Sequence, residues 1–107
     1  MKKTFAIAVA GAMLAVSGLA QAERSGEEVY NGPCQTCHKA DSVIPGVPKI
    51  TDKAEWAKRK AKGMDALLAS SKNGVAGTAM PPKGTCMDCT DGELKAAVEY
   101  MLTKSGN

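Results

Sequence analysis

The stretch that most limits what this chain can fold into is Cys34-Gln35-Thr36-Cys37-His38, which reads C-x-x-C-H. Two thiols three positions apart, followed directly by an imidazole, form the attachment signature of a c-type haem. Such thiols can make thioether bonds to the vinyl groups of one porphyrin, and the imidazole is then held under the iron as an axial ligand. His38 is also the single histidine of the chain. The motif therefore predicts a chain that folds around one covalently bound haem.

Other interpretations of the cysteines stay open at this point. A C-x-x-C pair can be redox-active, and the pair Cys34 and Cys37 could share a zinc ion with the second pair, Cys86 and Cys89. No histidine follows the second pair, so it is not a second haem site of the ordinary kind. In an oxidising compartment we expect Cys86 and Cys89 to form a disulfide, with a catalytic dithiol as the alternative.

The first 22 residues have the pattern of a secretory signal peptide. A basic start is followed by an apolar run over residues 5–19 and by the A-x-A cleavage pattern of residues 20–22. The apolar run is shorter than the roughly 20 residues that a bilayer-spanning helix needs, and an uncleaved N-terminal anchor is the alternative. We therefore expect a cleaved signal peptide over residues 1–22 and a periplasmic protein, a single domain over residues 23–107.

Cleavage would leave 107 − 22 = 85 residues, enough for one small domain. The domain would carry 14 − 2 = 12 basic residues against 11 acidic ones, a balance that does not indicate nucleic-acid binding. The local basic run of residues 58–62 is either a solvated helix face or a docking patch for an acidic partner. The domain would have few aromatic side chains to fill its core, namely Tyr30, Trp56 and Tyr100. We therefore expect the chain to be largely unfolded without its haem.

Capping signals and periodicity predict four helices and no strand. The first begins at a Ser25 capping box and should end near residue 31, ahead of Gly32-Pro33. The second should occupy residues 52–62, and the third residues 64–72. The last follows the capping box of residues 90–93 and has an apolar stripe at positions 94, 97, 98, 101 and 102.

The second axial ligand decides between small-molecule binding and electron transfer. Four methionines follow the predicted cleavage site: Met64, Met80, Met87 and Met101. Met80 lies in residues 73–84, which are too rich in glycine and proline for a helix and can pass over the haem as a strap. We predict Met80 as the ligand, with another methionine, water or an open site as the alternative. A neutral thioether ligand raises the reduction potential of haem iron.

The order of these features resembles that of a class I cytochrome c. The strap and second cysteine pair, A-M-P-P-K-G-T-C-M-D-C over residues 79–89, are similar to the bacterial cytochrome c5 group. That group joins an M-P-P-K-G strap to a C-x-x-C disulfide ahead of the last helix. The resemblance implies an all-α class I cytochrome c fold of about four short helices around one haem c. It also implies covalent attachment at Cys34 and Cys37 and iron ligation by His38 and Met80.

The resemblance implies further roles around the haem. The backbone carbonyl of Pro48 would orient the His38 ring, with Pro45 competing for this role. Trp56 and Arg59 would contact a haem propionate, with simple packing or a solvated charge as the alternative.

These features lead us to expect a mono-haem electron carrier that shuttles single electrons and is not an enzyme. By family analogy, its partners would be a quinol-oxidising complex and a terminal oxidase or reductase, met in transient complexes, without nucleic acid or a small-molecule substrate. We expect a monomer or weak dimer. The competing class is an enzyme: a peroxidase or gas-binding haem protein with an open iron, or a thiol oxidoreductase that uses Cys86 and Cys89.

Overall fold

The structure is a computed structural model that describes residues 22–107. The predicted signal peptide lies outside this range, apart from its last residue. The described chain is built from helices without a strand, and this confirms the predicted all-α fold class. None of its helices is long and apolar enough to cross a membrane. The α-helices are α1 (Gly26–Val29), α2 (Gln35–His38), α3 (Lys53–Lys60), α4 (Met64–Asn73) and α5 (Asp91–Lys104).

The first helical segment breaks at Gly32-Pro33, as predicted, and a second short helix follows directly. Residues Tyr30–Cys34 contain the kink and join α1 to α2. Gly32 leaves the helical region, with φ −83° and ψ −123°, and Pro33 has no N–H to contribute. The chain therefore runs from the first capping box into the C-x-x-C-H motif as one kinked helical segment.

Capping boxes start the first and last helices as predicted. The Ser25 hydroxyl accepts a hydrogen bond from the backbone N–H of Glu28, whose carboxylate accepts one from Ser25 N–H. Thr90 and Glu93 form the same reciprocal pair at α5. The whole predicted stripe of α5 is buried. Its members are Leu94, Ala97, Val98, Met101 and Leu102.

Helices α1 and α5 cross in close contact at Gly26. A Cβ atom at this position would overlap the backbone carbonyl of Ala96, so only glycine allows this approach. Beside the crossing, the rings of Tyr30 and Tyr100 lie 5.4 Å apart between centroids, tilted by 40°. The crossing packs the kinked segment against α5 and thereby places the C-x-x-C-H motif next to the apolar stripe.

Candidate haem-binding site

One cavity of about 630 Å³ lies between the kinked segment, α3, α4, α5 and the strap. This volume falls within the range of about 300–1,000 Å³ found for sites that hold small molecules and cofactors. The structure brings every residue that the sequence assigned to cofactor binding to its wall. These residues are Cys34, Cys37, His38, Pro48, Trp56, Arg59 and Met80.

Helix α2 presents both cysteines of the motif to the cavity. Cys34 is the N-cap residue of α2 and Cys37 lies within the helix, so the two side chains lie one turn apart. Both are free thiols of intermediate exposure. Burial raises the pKa of the Cys34 thiol, so its protonated form is favoured. The pair is thus open to the cavity and not joined to each other.

The ring of His38 is held in one orientation by the backbone of the following loop. Nδ1 lies 2.7 Å from the carbonyl oxygen of Pro48, and the backbone N–H of Ile50 donates to the carbonyl of His38 at 2.6 Å. Pro45 also borders the cavity, but the bond goes to Pro48. Donation of Nδ1–H to a carbonyl leaves Nε2 as the nitrogen with a lone pair.

Electrostatics favour a neutral His38. Burial lowers the pKa of this imidazole; the hydrogen bond to Pro48 opposes the effect, and the positive charge of Arg59 adds to it. A neutral ring with one donor already engaged is the form in which histidine binds a metal. The side chain therefore has the protonation state and the orientation that an axial ligand requires.

Trp56 and Arg59 reach the cavity from α3, one helical turn apart. The indole N–H of Trp56 donates to the carbonyl of Lys49 at 2.8 Å, and its ring lies 5.6 Å from the His38 ring. Nη1 of Arg59 donates to the backbone carbonyl of Glu55 at 2.8 Å and to its carboxylate at 3.2 Å. Trp56 therefore presents a ring to the cavity with its N–H already bonded, while Arg59 places a cation at the wall.

Met80 lies on a compact strap, closed by its own backbone bonds. Val75 N–H donates to the Met80 carbonyl at 3.1 Å, and Thr78 N–H donates to the Val75 carbonyl at 3.1 Å. Gly74, with φ +76°, packs against this carbonyl so tightly that a Cβ would be 2.8 Å from the oxygen. Gly74 is thus needed for the path of the strap, and Met80 borders the cavity.

The other three methionines of the described chain are placed differently. Met101 is buried in the core and borders the cavity from α5. Met64 packs, partly buried, against the same core cluster. Met87 is 70 % exposed and is not part of the cavity wall. Met80 is therefore the methionine that meets the cavity from a loop and not from the helical core.

The second cysteine pair is bonded to itself. Cys86 and Cys89 form a disulfide directly ahead of α5, and only 4 % and 3 % of their surfaces are exposed. While this bond persists, neither sulfur is a thiolate that could bind zinc. Burial also hinders attack by an external thiolate, which thiol–disulfide exchange requires.

Part of the wall escaped the sequence assignment. The sequence pattern assigned the α5 residues of the wall to the core and gave Leu67 no role. The apolar wall residues are Leu67, Leu94, Ala97, Val98 and Met101. The spacing of the α5 stripe was visible, but spacing alone cannot show that one side of the stripe faces a cavity. A covalently bound haem needs apolar walls around the porphyrin, two thiols for attachment, and an imidazole and a thioether as ligands of the iron. The residues present supply all of these and therefore fit this group.

Comparison with known proteins also indicates a protein with a covalently bound haem. The family described as "Cytochrome C oxidase, cbb3-type, subunit III" matches residues 21–101. Cytochrome c-555 of Chlorobaculum tepidum is 41 % identical over 109 residues, which cover 98 % of this chain and 99 % of the relative. Cytochrome c5 of Azotobacter vinelandii is 49 % identical over 80 residues, covering 73 % of this chain and 92 % of the relative.

A solved structure agrees with these relatives. A chain from the "Crystal structure of electron transfer complex of nitrite reductase with cytochrome c" is 40 % identical, with a TM-score of 0.67. The match covers 79 % of this chain and 99 % of that chain. The protein is thus a c-type cytochrome with one covalently bound haem. Within that class, it belongs to the class I family and is similar to cytochrome c5.

Proposed function

We propose that this protein is a periplasmic single-electron carrier in which Cys34 and Cys37 hold the haem and His38 and Met80 ligate its iron. The observation that carries the proposal is the single cavity that collects two thiols, one imidazole and one thioether. The thiols and the imidazole come from the kinked segment, whereas the thioether comes from the strap. Two ligands from separate segments would close the iron to small molecules.

The chain's own residues prepare this site. The Pro48 carbonyl keeps the proton of His38 on Nδ1, and burial keeps the ring neutral, so Nε2 remains a ligand. Gly74 and the backbone bonds of the strap hold Met80 at the cavity. The apolar side chains of α5 exclude water from the wall. When bound, a haem with imidazole and thioether ligands takes up and releases one electron at a relatively high potential.

Arg59 and Trp56 have different roles in this proposal. Nη1 of Arg59 is held by Glu55, which keeps the guanidinium at the cavity wall, where it would bind an anionic propionate. The sequence assigned Trp56 the same role, but its N–H already donates to Lys49. We therefore assign Trp56 a packing contact between its ring and the cofactor. Its hydrogen bond to Lys49 also holds the loop that carries Pro48.

The proposal includes the processing, compartment and partners of the chain. Cleavage of residues 1–22 in the periplasm would leave one domain over residues 23–107, a monomer or weak dimer. The neighbouring cytochrome c was solved in an electron transfer complex with nitrite reductase, which supports a terminal reductase or oxidase as electron acceptor. A quinol-oxidising complex would be the donor. Such encounters are brief and use small contact areas.

Replacement of Met80 by alanine tests the ligand assignment. In the ferric wild type we expect the weak far-red sulfur-to-iron absorption band. In Met80→Ala this band should be lost, the reduction potential should fall, and the ferrous protein should bind carbon monoxide readily. Met87→Ala is the matched control, because Met87 is 70 % exposed and outside the cavity wall. An unaltered band and potential in Met80→Ala would contradict the assignment.

The same measurements separate the electron carrier from an enzyme. A peroxidase or gas-binding protein would bind cyanide and carbon monoxide already in the wild type. A thiol oxidoreductase would require accessible sulfur, whereas Cys86 and Cys89 are buried. We therefore expect Cys86→Ser/Cys89→Ser to lower stability without abolishing electron transfer with a redox partner.

A further inference from the structure

Arg24 connects the beginning of the described chain to the start of α5 and to the disulfide. Its Nε lies 2.7 Å from Oε2 of Glu93, and its Nη2 lies 3.1 Å from Oε1 of the same carboxylate. Nη2 also lies 3.6 Å from the sulfur of Cys89 and 3.9 Å from that of Cys86. The planar guanidinium binds both oxygens of the Glu93 carboxylate as a fork, and the second N–H of Nη2 faces the two sulfurs and Oδ1 of Asp88, which lies 3.4 Å away.

The carboxylate in this contact is buried and fully bonded. Glu93 is 4 % exposed, and Arg24 and Thr90 donate their backbone N–H groups to it, each at 2.9 Å. The hydrogen bonds from the Arg24 side chain, together with these N–H groups, lower the pKa of Glu93 to about 2. The two residues are 69 positions apart. We call this contact between Arg24 and Glu93 the N-terminal latch.

Short contacts lead from the disulfide to the strap. Cys86 N–H donates to the Lys83 carbonyl at 2.8 Å, and Gly84 N–H donates to the Pro81 carbonyl at 3.0 Å. The Lys83 ammonium donates back to the Cys89 carbonyl at 3.3 Å. The methyl carbon of Met80 lies 3.8 Å from the point where a Cβ on Gly84 would stand. The backbones of the two disulfide-bonded cysteines thus hold the turn beside which the methyl group of Met80 lies.

We propose that Arg24 is a positioning residue for Met80. The latch holds the disulfide, the disulfide holds the turn over Pro82–Thr85, and this turn holds the thioether where it can reach the iron. This inference rests on the proposed ligation by His38 and Met80. It assigns a role in the redox site to a residue that is not part of the cavity wall.

The experiment measures how often Met80 leaves the iron in the holoprotein. Carbon monoxide binds ferrous haem only after the thioether has moved away, so its association rate reports strap opening. Arg24→Ala removes the two charge-assisted hydrogen bonds of this side chain to Glu93, and we expect the rate to rise on the order of tenfold. Arg24→Lys retains the charge without the fork and should give an intermediate rate.

A matched control separates the latch from general loss of stability. Lys72 pairs with Asp91 at 3.0 Å, which joins α4 to the beginning of α5 on the exposed surface. Lys72→Ala should leave the carbon monoxide rate unchanged. Glu93→Gln removes the charge with little change of shape and gives a second test if Arg24→Ala does not fold; its rate should also rise.

Two results would overturn the inference. An unchanged rate in both Arg24→Ala and Glu93→Gln would show that the latch does not act on Met80. An equal rise in Lys72→Ala would show a nonspecific effect. Failure of the underlying function looks different, because wild-type protein would then lack the far-red band and bind carbon monoxide as fast as Met80→Ala.

Discussion

Replacement of Gly26 by alanine tests the helix crossing that places the haem motif. A methyl group here would overlap the carbonyl of Ala96 and stand 3.1 Å from the Cβ of Tyr100. The flanking backbone cannot rotate out of the way as a side chain would, so α1 and α5 must move apart. The substitution is therefore an overpacking of two helix backbones.

The expected magnitude follows from three contributions. Overpacking of a close contact costs about 1–3 kcal/mol, and loosening the ring pair of Tyr30 and Tyr100 costs about 0.5–1.5 kcal/mol. The greater helix propensity of alanine returns at most about 1 kcal/mol. The sum is a net loss of about 2 kcal/mol from the free energy of unfolding. For a domain of this size, that corresponds to a decrease in Tm of about 8–16 °C.

The assay is denaturant unfolding of the ferric holoprotein, followed by far-ultraviolet circular dichroism. Gly92→Ala in α5 is the matched control, because its Cβ would meet only the carboxylate end of the Glu23 side chain. This flexible end can move away, so we expect Gly92→Ala to be neutral or stabilising by up to about 1 kcal/mol. If Gly26→Ala proved as stable as Gly92→Ala, the close crossing would not exist as described.

Three further predictions concern the disulfide, the latch and the cofactor. Cys86→Ser/Cys89→Ser should lower the free energy of unfolding by about 2 kcal/mol, the chain-entropy value for so short a loop, measured by denaturant titration. The pKa of Glu93 falls from 4.5 to about 2 on folding, so its carboxylate contributes its full stability above pH 4.5 and loses it as the pH falls through about 2. In an acid titration, the free energy of unfolding of Glu93→Gln should decline less steeply in this window than that of the wild type. An equal decline would contradict the role of this carboxylate. A Cys34→Ala/Cys37→Ala variant, which cannot hold haem covalently, should lack a cooperative thermal transition in calorimetry, because the cavity of about 630 Å³ would be left without its filling.

Much of the fold could be predicted because its signals are local. The Ser25 and Thr90 capping boxes each lie within four residues, and the stripe of α5 repeats with the helical period. The haem motif is also local, because its two thiols and its imidazole lie within five consecutive residues, so the sequence alone indicates the role of Cys34 and its neighbours.

Other features depend on the folded chain and have no local signal. The indole N–H of Trp56 donates to the backbone carbonyl of Lys49. This acceptor comes within reach only when the preceding loop folds back. The latch joins Arg24 to Glu93 across 69 positions, and no sequence spacing indicates such a pair.

The placement of the single tryptophan has a practical consequence. Trp56 is buried and its ring lies 5.6 Å from that of His38, so its excited state would transfer energy to a neighbouring porphyrin and emit almost no light. Cofactor loss, incomplete maturation or unfolding would each separate the donor from its quencher. The protein thus contains its own optical probe, whose brightness reports the fraction of molecules that lack an intact centre.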